Sequence, residues 1–141
     1  MKHVFFSVFI FSVFNAFSQT SEHVYVQAFS KMFGDVGNQR WNTTEEGSTV
    51  KFEQNNIRYQ VFYNKRGRWK ATIKQLPVGM LPRWVTSRVK YEFRNYSIFF
   101  AQNVCTPVGQ TYILKIEKGS EWKTVMISPA ATEVVGEYVR N

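Results

Sequence analysis

Apolar positions change their period along the chain, and the changes mark out the elements. In SEHVYVQAFSKMFG, Tyr25, Ala28, Phe29, Met32 and Phe33 fall at i, i+3, i+4, i+7 and i+8, which is one face of a helix. Ser21 suits the start of that helix as a cap, and Gly34 suits its left-handed end. Beyond Gly34 the period falls to two. Strand-like runs lie at 40–45, 48–54, 57–63 and 68–74, separated by Glu46-Gly47, Asn55-Asn56 and Lys65-Arg66-Gly67. Each separator suits a tight hairpin, because Asn and Gly tolerate positive φ.

Hairpin geometry tests whether these strands agree on a face, since directly paired residues share one. A two-residue Glu46-Gly47 loop pairs Trp41 with Phe52 and Thr43 with Val50. A two-residue Asn55-Asn56 loop pairs Phe52 with Tyr59 and Val50 with Val61. A three-residue loop with Gly67 left-handed pairs Tyr63 with Trp69, Val61 with Ala71 and Tyr59 with Ile73. Together they predict a four-stranded antiparallel meander. Its apolar face carries Trp41, Val50, Phe52, Tyr59, Val61, Tyr63, Trp69, Ala71 and Ile73. A four-residue last loop would break this agreement.

The pattern then repeats. LPRWVTSRVKYEF sets Leu81, Val85, Val89 and Phe93 in an i, i+4 stripe, with Pro82 in the first turn, where its fixed φ is tolerated. Strand-like runs follow at 96–105, 111–117 and 122–128. The last two echo an earlier hairpin. YQVFYNKRGRWK (59–70) returns as YILKIEKGSEWK (112–123), offset by 53 residues without a gap. Both hairpins place a Trp-Lys pair ten positions after a Tyr, and both Trp69 and Trp122 are expected beneath a helix. The fold class predicted is α+β: an antiparallel sheet with two helices packed on one face, the helix-plus-meander unit being present twice. Residues 129–141 carry no strong period and read as a C-terminal tail.

The N-terminal stretch is of another kind. Lys2 precedes an apolar run over 4–14, and Ala16 and Ser18 follow in the spacing a signal peptidase accepts. Residues 1–18 therefore read as a secretory leader cut at Ser18–Gln19, and 19–128 as a single exported domain, periplasmic or secreted. The alternative, an uncleaved anchor, meets the difficulty that the run is shorter than the roughly 20 residues a span needs. About 120 residues suffice for one self-supporting core. The single cysteine, Cys105, leaves no disulfide partner. It reads as a small strand residue rather than a reactive thiol, with no His or run of cations near it in sequence to depress its pKa.

Enzyme chemistry finds few residues to work with. After the leader one histidine remains, His23, in the first turn of a helix, so neither a Ser-His-Asp nor a Cys-His arrangement is supported. There is no His/Cys spacing for a transition metal, and Asp35 is the only aspartate, so no metal or other cofactor is expected. The eight glycines form neither a phosphate loop nor a dinucleotide fingerprint. Glu45 and Glu46 flank a turn and read as solvated charges rather than a catalytic pair.

Trp41, VKF at 50–52, VFYNKRGRW at 61–69, Leu81-Pro82 followed by Val85 and Val89, and TYILKI at 111–116 carry a resemblance. In these motifs the chain resembles the beta-lactamase-inhibitor-like, PepSY-like periplasmic proteins of Gram-negative bacteria. The resemblance covers most of the domain, and its motifs are mainly core and turn residues. The loop before Gly67 is basic here and acidic in the family. The resemblance implies an α+β fold and a non-enzymatic binding or inhibitory role.

What remains for function is surface. The chain carries a formal charge of +8, or +7 once Lys2 leaves with the leader. Ten cations and one acid lie between Arg58 and Arg94. On the meander face opposite the core, the predicted register gathers Arg58, Phe62, Arg68, Lys70 and Lys74, pairing Phe62 with Lys70 and Arg58 with Lys74. A phenylalanine among cations on an open sheet face is a candidate protein-binding spot. The bland counterpart is a solvated face whose Lys and Arg stems cover one stray Phe. An acidic protein of the cell envelope suits that charge. Export argues against nucleic acid as the ligand. Two readings therefore stand. One is an exported binding or inhibitor module using the open face. The other is an envelope-associated structural domain held to anionic surfaces by charge, in which the basic side of the second helix touches phospholipid.

Overall fold

The structure is a computed structural model and describes residues 17–141. The leader expected at 1–18 falls outside the described residues up to position 16. The chain runs α1 (Phe17–Phe33), β1 (Arg40–Thr44), β2 (Gly47–Gln54), β3 (Ile57–Asn64), β4 (Trp69–Gln75), α2 (Arg83–Glu92), β5 (Ser97–Thr106), β6 (Gly109–Lys118), β7 (Glu121–Ile127) and β8 (Thr132–Val139). All eight strands form one open antiparallel sheet in sequence order, β1 to β8. The α+β class predicted from the period changes is the class observed.

Each helix covers its own half of one sheet face. Tyr25 and Phe29 of α1 are buried with Val36, Val50, Phe52, Val61 and Tyr63, and Trp41, Tyr59 and Trp69 pack against them. Phe29 meets Phe52 edge-on at 5.3 Å and Trp41 at 5.5 Å. Met32, read as part of the same stripe, is 47% exposed at its margin. Leu81, Val85 and Val89 lie over Ala101, Tyr112, Leu114, Ile116, Val125 and Ile127. Pro82 is the N-cap of α2 at φ −58, and its carbonyl accepts from the Val85 and Thr86 N–H groups. Gly34 closes α1 at φ +71, its N–H donating to Ser30 O at 2.9 Å. Ser21, expected to cap α1, lies inside it, because the helix begins at Phe17.

The hairpin registers hold in part. Asn55 and Asn56 form the expected two-residue loop at φ 54 and 62, and Phe52–Tyr59 and Val50–Val61 pair as predicted. The first loop is Glu45-Glu46 rather than Glu46-Gly47, so Trp41 pairs with Val50 and Thr43 with Ser48. That shift moves the pairing by two residues, and the faces survive. Thr43 and Ser48 share a hydroxyl hydrogen bond of 2.8 Å.

The third hairpin departs in a way that changes a face. Its loop is the predicted Lys65-Arg66-Gly67, with Gly67 at φ +76 and Tyr63 opposite Trp69. A β-bulge between Phe62 and Tyr63 then shifts the register by one, so Phe62 pairs with Ala71, Val61 with Thr72 and Tyr59 with Lys74. Lys70 is the extra residue. Ala71 and Ile73, expected on the core side, turn to the uncovered face, while Thr72 is buried beneath α1 and receives the Trp69 indole N–H at 2.9 Å.

The echoed hairpin has no bulge there. Its loop is the two residues Gly119-Ser120, with Lys118 opposite Glu121 and Lys115 opposite Thr124. Offset by 53, that last pair matches Phe62–Ala71, so the two copies share one register away from their turns. Without the extra residue Trp122 pairs with Glu117 and points to the uncovered face. This overturns the expectation that Trp122 lies beneath a helix. A one-residue difference inverts a side chain, because the period of a strand is two. The segment beyond 128, without a period in sequence, forms the edge strand β8 along β7, with a second bulge at Val135.

Candidate binding face

The sheet face away from the helices is crossed by two long cross-strand rows. One runs Arg40, Lys51, Gln60, Ile73, Val104, Thr111 across β1 to β6. The other runs Glu53, Arg58, Gln75, Gln102, Ile113, Met126 and ends on Glu133 of β8. Phe62 and Ala71 stand in a third, shorter row with Thr49 and Asn42. The chemistry thus changes along the sheet. Cations and amides occupy β1 to β3. A half-buried apolar strip of Phe62, Ile73, Val104, Ile113 and Met126 runs from β3 to β7.

The far corner is aromatic. Trp122 meets Tyr138 at 5.5 Å and Phe99, left unpaired by a third bulge, at 6.0 Å. The Arg140 guanidinium lies 5.7 Å from the Trp122 ring. Phe99 and Tyr138 are 44% and 54% exposed, more than an enclosed core tolerates.

The cationic end opens into a concavity of about 950 Å³, whose lining includes Arg40, Lys51, Glu53, Arg58, Gln60, Ile73, Gln75 and Gln102. A smaller hollow of about 440 Å³ lies at the hairpin tips between Glu45-Glu46 and Lys65, Arg66 and Arg68.

The five residues singled out from sequence separate. Phe62 and Arg58 stand on the uncovered face, but opposite Ala71 and Gln75 rather than Lys70 and Lys74. Arg58 also reaches Glu53 at 3.6 Å. Lys70 sits at the bulge and Arg68 in the turn, both exposed; the Arg68 N–H donates to Asn64 Oδ1 at 3.0 Å. Lys74 moves to the helix-bearing face, opposite Tyr59, with its Nζ 5.9 Å from that ring. The bulge is the cause for Phe62, Arg58, Lys70 and Lys74; Arg68 lies on the turn side of it.

Sequence reasoning missed Ile73, Val104, Ile113, Met126 and the Trp122 corner. Simple alternation from Leu114 and Ile116 places Ile113 on the opposite face, so that signal was present. Ile73 and Trp122 required the bulge.

Burial pushes the Tyr63 phenol up to about 12. The Glu137 carboxylate pushes the Lys123 amine up, in the ion pair that ties β7 to β8. Among the described residues no three His, Cys, Asp or Glu side chains come together as metal ligands. Among the same residues no helix is long and apolar enough to cross a membrane. Cys105 is half-buried and donates to Asn103 Oδ1 at 3.0 Å.

No protein-family model matches the chain, and no curated protein matches it in sequence. Solved structures do match it in shape. A BLIP-like protein from Bacteroides fragilis superposes with a TM-score of 0.66 at 13% identity, over 83% of this chain and 84% of that one. The fold is BLIP-like. A DUF2874 family protein from Bacteroides ovatus gives 0.65 at 18% identity, over 79% and 86% of the two chains. A protein from Bacteroides eggerthii provisionally assigned to the periplasm gives 0.64 at 15%, over 82% and 86%. This is the beta-lactamase-inhibitor-like architecture that the core and turn motifs implied, shared here at the level of fold.

Proposed function

We propose that the chain is an exported, non-enzymatic binding module that engages a protein of the cell envelope through the uncovered sheet face. One observation carries the reading. Both helices lie on one side of the sheet, and the other side keeps the strip Phe62, Ile73, Val104, Ile113 and Met126 at the surface of a continuous hydrogen-bonded scaffold. Contiguous apolar surface ringed by polar groups is what protein interfaces are built on. The BLIP-like neighbours support a binding role over a catalytic one.

The test is retention of an envelope protein by the immobilised chain, followed by identification of what is retained. Phe62→Ala and Ile113→Asp should each abolish most of the retention, whereas Tyr91→Ala, on α2 and 81% exposed, should leave it intact. Phe62→Ala should cost more than Lys115→Ala on the same face, since a desolvated aromatic anchor contributes more than a cation at the rim. Retention that ignores all the apolar substitutions and vanishes at moderate salt would instead identify a domain held by charge alone.

A further inference from the structure

Arg40 and Lys51 stand directly opposite one another on β1 and β2, in the first cross-strand row of the uncovered face. Like charges in that relation repel and destabilise the pair. Among the described residues neither cation has a carboxylate within 4.0 Å; the ion pairs are Arg58–Glu53 and Lys123–Glu137. The pair forms part of the wall of the concavity of about 950 Å³, beside the amides of Gln60, Gln75 and Gln102; the carboxylate in that wall, Glu53, is held by Arg58 at 3.6 Å.

We propose that this end of the face is the seat for an acidic loop of the partner protein, whose carboxylates lie between Arg40 and Lys51 and whose backbone is held by the glutamine amides. The proposal rests on the open-face reading and adds the chemistry of the partner. Arg40 brings a planar fork that matches a carboxylate, and Lys51 brings a compact charge. Amide side chains donate and accept together, which is what a peptide backbone requires. The lining is mostly polar, unlike the apolar pockets that hold small ligands.

The test uses a disulfide-closed loop peptide carrying two adjacent aspartates and a twin carrying two asparagines, each titrated against the mature chain by fluorescence anisotropy. The aspartate peptide should bind, and the twin should bind about tenfold more weakly, the scale of one lost charge-assisted hydrogen bond. Arg40→Gln and Lys51→Gln should each cause a similar loss, while Lys90→Gln, an exposed cation on α2, should cause none. Thermal midpoints of Arg40→Gln and Lys51→Gln should equal or exceed that of the unaltered chain, because repulsion is relieved. No binding, equal binding of the twins, equal effects of Lys90→Gln and Lys51→Gln, or a fall in those midpoints would each overturn the proposal. So would binding of phosphatidylglycerol vesicles that Lys51→Gln removes, which would assign the pair to a membrane surface. If the charge variants keep their partner while Ile113→Asp loses it, the acidic loop is wrong and the open-face reading stands.

Discussion

Two tryptophans equivalent in sequence have opposite structural roles, and single substitutions should separate them. Trp69 packs into the α1 core and its indole N–H is held by Thr72, so Trp69→Ala should cost about 3 kcal/mol. Trp122 meets Phe99, Tyr138 and Arg140 on the uncovered face, and Trp122→Ala should cost about 1 kcal/mol. Chemical denaturation of the two variants would show the difference, and equal losses would contradict the bulge.

Tyr63 offers a second test at this scale. Its folded pKa is raised to about 12 by burial, above the value of about 10 in an unfolded chain. The unfolded chain therefore releases this proton first. The contribution is complete below about pH 10 and is lost as pH climbs towards 12. Tyr63→Phe should flatten that alkaline decline in the thermal midpoint. It should change stability little at neutral pH, since among the described residues the hydroxyl meets only Met32 Sδ, at 3.9 Å. Gly47 is the position where backbone freedom matters most. Its φ is +152, and an added Cβ would overlap the Tyr63 carbonyl.

At the scale of elements, the second helix does more than cover a core. Arg88 of α2 donates to the carbonyls of Ser128 and Pro129, the latter at 3.2 Å, and Thr132 Oγ1 reaches Glu92 at 3.3 Å. These bonds fasten the turn that launches β8, an edge strand paired on one side only. Arg88→Ala should cost about 1.5–3 kcal/mol, the range of hydrogen bonds from a charged donor. It should also speed amide exchange over Thr132–Val139 relative to β6. Arg88→Lys should restore little, because one ammonium cannot reproduce a fork spanning two carbonyls. Uniform protection across β6 and β8 in Arg88→Ala would show that the latch is idle.

Over the whole molecule, two buried clusters lie under two helices and are joined through one sheet. Val61→Ala empties part of the first cluster and Leu114→Ala part of the second; both side chains are fully buried. Leu114→Ala should cost about 3 kcal/mol and Val61→Ala somewhat less. The double variant should sum them to within about 0.5 kcal/mol, as separated sites do. The join is β4 with β5, paired from Thr72–Cys105 to Gln75–Gln102. A single unfolding transition in both single variants would show that this seam couples the halves. Two transitions would show that each helix-plus-strands unit melts by itself.

The local periods of this sequence determined a good deal. Alternation and the i, i+4 stripes fixed helix and strand types, the two-fold plan and the buried identities of Val50, Phe52, Val61, Val85 and Val89, because burying one face of each element demands those spacings. Phe62 and Arg58 were legible on the uncovered face for the same reason. Only the tertiary structure decided Ile73, Lys74 and Trp122. Their faces depend on whether a strand carries one extra residue. The bulge at Lys70 puts both Trp69 and Thr72 on the α1 side, three positions apart, which strict alternation along the strand does not reveal. The edge strand β8 is also tertiary in origin, formed by pairing with β7 and by the hold of Arg88 on its turn. The opposition of Arg40 to Lys51 followed from the true position of the first loop, one residue before Glu46-Gly47, which moves the partner of Arg40 by two residues, from Glu53 to Lys51. The sequence places cations along the chain, and the register decides which of them face one another.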